Sequence, residues 1–370
     1  MAVTAAKWVD EVLPRVAVRQ WVLTVPWKRR ALFARKPALM LGVVGIALRA
    51  IDRWYAKAVH RPDGAGGAVV AIQRAGSALN LNIHAHALLP DGVFIRDERG
   101  VVVFRRAKPS TKDVMVLVER IARRAERYLA RKGYPAEEEG EEPDAEDGLA
   151  LVQAASLGGV IAVGPRRGCA VRRTQRLGGK ERPLPARCAS FNGYNLHAGS
   201  CVAAQDRNGL ERLARYVLRG PLAKERIERR GDKVALGFKR AWSDGSTEIL
   251  LTPMEFTEKL AALVPPPRMN TVLYAGVFAA NHRLRKEVVP KPKTEKPAVI
   301  ARRRARKLTL RPETGGDGKD SWAELLRRVF GKDGFRCDEC RKPMRLRAIV
   351  KGPPASLAIV ASLLRSTGPP

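Results

Sequence analysis

Apolar positions recur along this chain in two rhythms, and the switches between them mark out the elements. A spacing near 3.6 residues predicts helices over 36–59, over 112–132 with many arginines, over Asp206 to Leu218 and over Pro253 to Leu263. Asp206 stands where an N-cap is needed, Leu210, Leu213 and Val217 follow at helical spacing, and Arg219-Gly220-Pro221 stops the run. Alternation and short apolar runs predict strands at 19–25, 68–73, 79–89, 93–95 and 101–104, and a hairpin joining 233–239 to 248–251. Gly64 to Gly67, Pro90-Asp91-Gly92 and Asp97 to Gly100 punctuate them as turns. Lys28-Arg29-Arg30 reads as a basic turn, and 151–201 as short apolar runs between basic turns. Short strands joined by tight turns next to helices predict an α+β fold with an antiparallel sheet.

Charge adds a partner to this picture. Lysine and arginine number 69 against 37 acids, a formal net charge of +32, far more than solubility needs. Such an excess calls for a polyanion: nucleic acid first, with a membrane surface or ribosomal RNA as alternatives. The N-terminus lacks the basic start and apolar run of a signal peptide. The most apolar segment, Ala38 to Leu48, is too short to span a bilayer and reads as a buried helix. Five scattered cysteines fit a reducing cytoplasm better than a disulfide framework. The predicted organisation is a first core segment (1–136), an acidic loop (137–148), a second core segment carrying the 206–218 helix (149–287), a basic linker (288–320) and a small module (321–370) with Cys337 and Cys340. The acidic loop reads as a solvated excursion, with masking of a basic site as its second reading.

Two histidines one residue apart, His84 and His86, sit within the predicted strand 79–89. Alternate side chains of a strand share a face, so both imidazoles project the same way and can share one metal ion. Taken alone, so short a spacing favours ordinary structural histidines over metal ligands. His60 and His282 read as surface residues. Tyr216 lies on the basic helix, with Arg212 one turn earlier on the same face and Arg215 and Arg219 flanking it. These arginines are candidate phosphate contacts or a solvated basic face. Tyr55, Tyr128, Tyr134 and Tyr194 are rival nucleophiles, but Tyr128 and Tyr134 adjoin the acidic loop, a poor place to hold DNA.

The phrase running from Gln73 through Asn80-Leu81-Asn82-Ile83 to His84-Ala85-His86 closely resembles the metal motif of rolling-circle insertion-sequence transposases. These are the HUH enzymes of the insertion sequence ninety-one kind. The resemblance continues in order through Asn195 to Ala198, Asp206 to Tyr216, Trp242 to Thr247, Ala261 to Arg268, Tyr274 to Ala279 and Trp322 to Phe330. It implies an HUH nuclease core, its antiparallel sheet flanked by helices, with a small C-terminal module. It also implies cleavage and rejoining of single-stranded DNA at transposon ends and target, in the cytoplasm of a bacterium and associated with the nucleoid. Tyr216 would be the nucleophile, forming a 5′-phosphotyrosine link. His84 and His86 would hold Mg²⁺ or Mn²⁺, and Arg212, Arg215 and Arg219 would contact DNA. Since a tyrosine's ordinary pKa is ~10, the nucleophile calls for a nearby cation.

The chain departs from the family pattern in three places. Ala85 is smaller than the bulky residue for which the motif is named. Members with two tyrosines carry them four apart, and here the earlier position is Arg212. Relatives begin with a cysteine-rich zinc-binding domain, whereas this sequence starts at the helix that would follow it and so reads as shortened. A third metal ligand is expected, with Gln73 and His197 as candidates. A tight turn at Ala75 to Ala78 would pair Gln73 with Asn80, ~13 Å from His84, and only a wider loop would bring it alongside. The position one turn after the tyrosine, which serves some relatives, is Gly220. Cys337 and Cys340 have zinc-knuckle spacing but supply two of the four ligands a structural zinc needs, so zinc there is not the expected state of this chain alone. The second functional reading is a non-catalytic DNA-binding remnant. A plasmid relaxase or replication initiator would share the chemistry, but the segments from Trp242 onward argue against it.

Overall fold

Odd-numbered apolar residues of the first long strand and of the histidine strand face one way and even-numbered residues the other, and this division organises the molecule. The computed structural model describes residues 2–135, 147–175, 185–238, 241, 242, 244–290, 340 and 342, and residues from Ala5 to Thr294 belong to one compact unit. Its first half runs α1 (Ala2–Glu11), β1 (Val18–Thr24), a 3-10 turn (Trp27–Arg29), α2 (Arg30–Arg35), α3 (Pro37–Ala58), β2 (Gly67–Ala75), β3 (Leu81–Pro90), β4 (Gly92–Arg96), β5 (Val102–Arg106) and α4 (Thr111–Arg131). The second half runs α5 (Gly148–Gly158), β6 (Arg172–Gln175), β7 (Cys188–Phe191), β8 (Tyr194–His197), β9 (Cys201–Val202), α6 (Arg207–Leu218), β10 (Ile227–Arg230), β11 (Lys233–Gly237), β12 (Ser246–Leu251), α7 (Pro253–Leu263), β13 (Val272–Gly276) and α8 (Arg285–Val288). The fold is α+β, as the patterning predicts.

The main sheet has the order β13-β2-β3-β1-β8-β7, with β9 pairing the far end of β1, and every pairing in it is antiparallel. On one face Trp21, Leu23, Ile72, Ile83, Ala85 and Leu196 join the apolar sides of α3 and α4 in the larger core. On the other, Val18, Val69, Ala71 and Leu88 join Trp8 and Val9 of α1 and Leu210, Ala214 and Val217 of α6 in a second core. The sheet is therefore a middle layer. A four-stranded sheet, β10-β11-β12-β6, and the β4–β5 hairpin complete the described unit.

Local chemistry sets the element ends. Ser110 with Asp113, and Thr252 with Glu255, form reciprocal capping boxes at α4 and α7. Asp206 caps α6, its carboxylate accepting from Gly209 N at 2.6 Å. The β7–β8 turn is Asn192-Gly193, both at positive φ, the conformation a two-residue hairpin needs and these two residues supply best.

One expectation is corrected and two details are added. The predicted basic turn is the 3-10 turn leading into α2. Part of the stretch read as short apolar runs is α5, whose sequence is apolar almost all round and so carries no helical period; Asp147 caps it. The strand β13, too short to stand out, adds to the free edge of β2. The acidic residues 137–146, most of the linker, and the C-terminal module apart from the exposed residues Cys340 and Lys342 lie outside the described residues, as does Cys337. Among the described residues no helix is long and apolar enough to cross a membrane.

Asp91, at the β3–β4 turn, is fully buried on the α3 side of the sheet. Its carboxylate accepts from Arg19 Nε at 2.6 Å and Nη2 at 3.0 Å, from Tyr55 Oη at 3.0 Å and from Arg106 at 3.2 Å. Burial pushes this carboxyl up, but the hydrogen bonds and charge of Arg19, with Tyr55 and Arg106, outweigh it and hold the group below the usual carboxylate range. Removing Asp91 would leave Arg19 as an uncompensated buried cation. Asp91→Ala is expected to cost about 3–5 kcal/mol in urea unfolding, and Arg106→Ala, on the exposed side of the network, about 1 kcal/mol or less.

Candidate active site

The β2–β3 connection fixes the site. Five residues, 76–80, join the strands; Gly76 N donates to Asn80 O at 2.8 Å, and the buried Leu79 takes a left-handed φ of 55°. Ser77 at the tip is held from the second sheet, its carbonyl accepting from Arg226 and its hydroxyl from Trp242 Nε1 at 3.1 Å. A register shift between Gln73 and Ala75 then places Gln73 directly opposite His84. Of the two connections the sequence leaves open, the structure has the wider loop.

Reading across the strands, one row runs Gln73, His84, Thr24, Asn195, and the next runs Ala71, His86, Val22, His197. Both rows lie on the face that packs against α6. The two imidazoles have ring centroids 5.0 Å apart. His197 is two strands away from His86, roughly 10 Å along the sheet.

Tyr216 comes to this face from α6. Leu210, Ala214 and Val217, at i, i+4 and i+7, bury one side of the helix, which turns Tyr216 toward the histidines with 43 % of its surface exposed. Its ring centroid lies 6.0 Å from that of His86, nearly perpendicular to it. The last turn of α6 is tied to the sheet by Gln73, whose Nε2 donates to Val217 O at 2.7 Å. Arg219 stacks its guanidinium over the Tyr216 ring, 4.4 Å from the centroid. Arg212 instead pairs with Asp206 at 3.8 Å near the start of the helix, and Arg215 is half-buried. Of the three arginines, Arg219 is therefore the one at the tyrosine ring.

The other tyrosines are engaged elsewhere. Tyr55 donates to Asp91, and Tyr194 to Glu126 at 2.7 Å. Tyr128 lies in the α3–α4 contact beside Gly42, Tyr134 contacts Lys36, and Tyr274 accepts from Trp8 Nε1 at 2.9 Å. His60 is exposed as expected, whereas His282 is half-buried, its Nδ1 accepting from Leu284 N at 3.2 Å.

Both site histidines are held neutral. Burial lowers His84, the Asn82 carbonyl opposes this, and the charges of Arg30 and Arg219 add to it. His86 is pushed down to about 3 by burial, then by His84, Arg219 and His197. His84 Nδ1 lies 2.8 Å from Asn82 O, a contact only an N–H can make, which leaves the lone pair on Nε2. His86 Nδ1 lies 2.8 Å from the buried amide of Gln20. His84 thus has the neutral form with an outward lone pair that a divalent cation needs, whereas the Gln20 amide nitrogen at His86 Nδ1 makes that nitrogen the acceptor and puts the ring proton on Nε2. Among the described residues no group of three His, Cys, Asp or Glu could hold a metal. A cation here would therefore draw its further donors from an amide, water or a phosphate, which suits Mg²⁺ or Mn²⁺, ions that keep several waters.

Two residues at the site were not singled out in the sequence. Gln20 follows Arg19 at the start of a strand that continues Trp21-Val22-Leu23, and a polar pair leading into an apolar run is the signal that could have found it. Arg30 acts electrostatically on His84, and its Nε is buried with no partner among the described residues; within a run of basic residues it carries no distinguishing mark.

Residues 67–286, more than half of the chain, match the family described as "Putative transposase", and the chain belongs to that family. The matched stretch holds both histidines, Gln73 and Tyr216. No curated protein and no solved structure matches the chain.

The depressed His86 has a measurable consequence. Its folded value lies below the ordinary 6.5, so the stability it contributes is complete above that pH and is lost as pH falls toward 3. In the metal-free protein, NMR of the His86 ring is expected to show no protonation between pH 8 and 5. A His86 midpoint near 6.5 would contradict the buried geometry.

Proposed function

We propose that this transposase is a divalent-metal-dependent tyrosine strand transferase of the rolling-circle HUH type, acting on single-stranded DNA at transposon ends and target sites in the bacterial cytoplasm. The observation that carries the reading is the convergence of Tyr216, capped by Arg219, on the paired imidazoles of His84 and His86. Tyr216 Oη attacks the scissile phosphorus, the bond from phosphorus to the 3′-oxygen breaks, and that oxygen departs and takes up a proton. The 5′-phosphate stays on Tyr216 as a phosphodiester. A 3′-hydroxyl then attacks the same phosphorus and restores the tyrosine.

Arg219 and Arg30 supply fixed positive charge where the phosphate would sit. His84 and His86 would hold Mg²⁺ or Mn²⁺, with Gln73 as the third protein donor. The bound ion would polarise a phosphate oxygen as a Lewis acid. Gln73 is favoured over His197 because it faces His84 across one strand pairing. Gln20 orients His86 through Nδ1; turning its amide so that the oxygen meets Nδ1 would move the ring proton there and free Nε2 for the ion.

The test is a denaturing-gel assay for a covalent adduct between the protein and labelled single-stranded oligonucleotides carrying element ends, with Mn²⁺ or Mg²⁺. Wild type is expected to form the adduct, and Tyr216→Phe, EDTA and a His84→Ala/His86→Ala double variant to abolish it. An adduct persisting in Tyr216→Phe would remove the assigned nucleophile; none in wild type would favour the DNA-binding remnant. The third donor is settled separately by Mn²⁺ binding followed by electron paramagnetic resonance. Gln73→Ala is expected to weaken binding by about tenfold or more, and His197→Ala much less. The reverse order would move the assignment to His197.

A further inference from the structure

The face of the molecule opposite the histidines carries its own cationic feature. Helices α3 and α4 cover that side of the sheet, and they approach closely where Gly42 leaves room for the Tyr128 ring. Alongside this contact lies an open groove of about 640 Å³ lined by Ile46, Arg49, Arg124, Arg127, Ala130 and Arg131. Its walls hold four guanidinium groups and no carboxylate. Among the described residues none of the four takes part in an ion pair, although neighbouring Arg123 and Arg29 are paired with Glu119 and Glu126. Arg127 and Arg131 each spend one N–H on a backbone carbonyl a turn earlier, at 3.2 and 3.3 Å, which anchors the side chain and leaves its terminal nitrogens uncommitted in these bonds.

We propose that this groove binds the phosphate backbone of duplex DNA, giving the protein a second nucleic-acid surface on the side of the sheet away from Tyr216. Arg124, Arg127 and Arg131 lie at i, i+3 and i+7, on one face of α4. They span about 10 Å of helix, over which one strand of a duplex presents about three phosphates. Arg49 faces them from α3 and adds a fourth contact. A lipid surface fits less well, because the groove offers Ile46 and Ala130 but no large apolar side chain to insert. The arrangement lets the protein hold flanking duplex on one face while a single strand occupies the other.

The proposal is independent of the chemistry at Tyr216 and is tested without it. Duplex DNA binding by the full chain is measured by fluorescence anisotropy in EDTA between 50 and 200 mM salt. The Arg124→Ala/Arg127→Ala/Arg131→Ala variant is compared with wild type. Three lost phosphate contacts are expected to reduce the slope of log K against log salt by about 2.7, so that wild-type affinity falls about 40-fold more than the variant's over that range. Thermal unfolding of the variant checks the fold, and the single variant Arg49→Ala, from the opposite wall, is expected to reduce the slope by about 1. Unchanged slopes in both variants would overturn the proposal. So would variants that lose binding to anionic vesicles while keeping that to duplex DNA.

Discussion

The period-two alternation of β3, held between β2 and β1, is the constraint on which the rest depends. Leu81, Ile83, Ala85 and Ala87 enter the larger core, so the residues between them must face the other layer. His84 and His86 are on the α6 side because their neighbours are needed on the α3 side. The small Ala85 does not disturb this, since what matters at that position is burial. Packing thus aims the imidazoles, and the arrangement survives only as long as the core beneath it does.

The two faces of the sheet differ in electrostatic character. On the α3 side a buried carboxylate, Asp91, is surrounded by donors and holds Arg19 in place. On the α6 side the paired imidazoles are kept neutral, with Arg30 and Arg219 acting on them, and α6 itself buries Glu211. Among the described residues no carboxylate joins the two histidines in a metal-holding group, so they exert little charge attraction on a free cation. On the proposed reading, the phosphate completes the charge balance as it arrives, and ion and nucleic acid favour one another's binding.

Much of this was legible in the sequence, for identifiable reasons. The helices with a clear apolar stripe, α3, α4, α6 and α7, and the strands β1 to β5 follow from periodicity and turn residues. The cap at Asp206 and the shared face of His84 and His86 follow from local geometry alone. What was hidden depended on tertiary context. The helix α5 has no polar face to reveal its period, and β13 exists by virtue of an open edge on β2. The partners of the three arginines could not be separated either: helical spacing puts Arg212 on the same face as Tyr216, yet the Asp206 carboxylate is what it meets. The place of Gln73 stayed open between a tight turn and a wider loop, because loop length cannot be counted from residue types when a buried leucine adopts a backbone conformation usually left to glycine.

That loop has a consequence out of proportion to its position. Residues 76–80 lie away from the imidazoles, yet their number sets the phase between two strands. Removing or adding one of them would slip β2 against β3 by a step, sending Gln73 away from both His84 and the carbonyl of Val217. The surface stretch behaves like the tooth count of a gear. Its side chains are open to change so long as Ser77 can be held and Leu79 buried, whereas its length is not. Drift in this segment should therefore proceed by substitution, with insertions and deletions displaced to other turns of the chain.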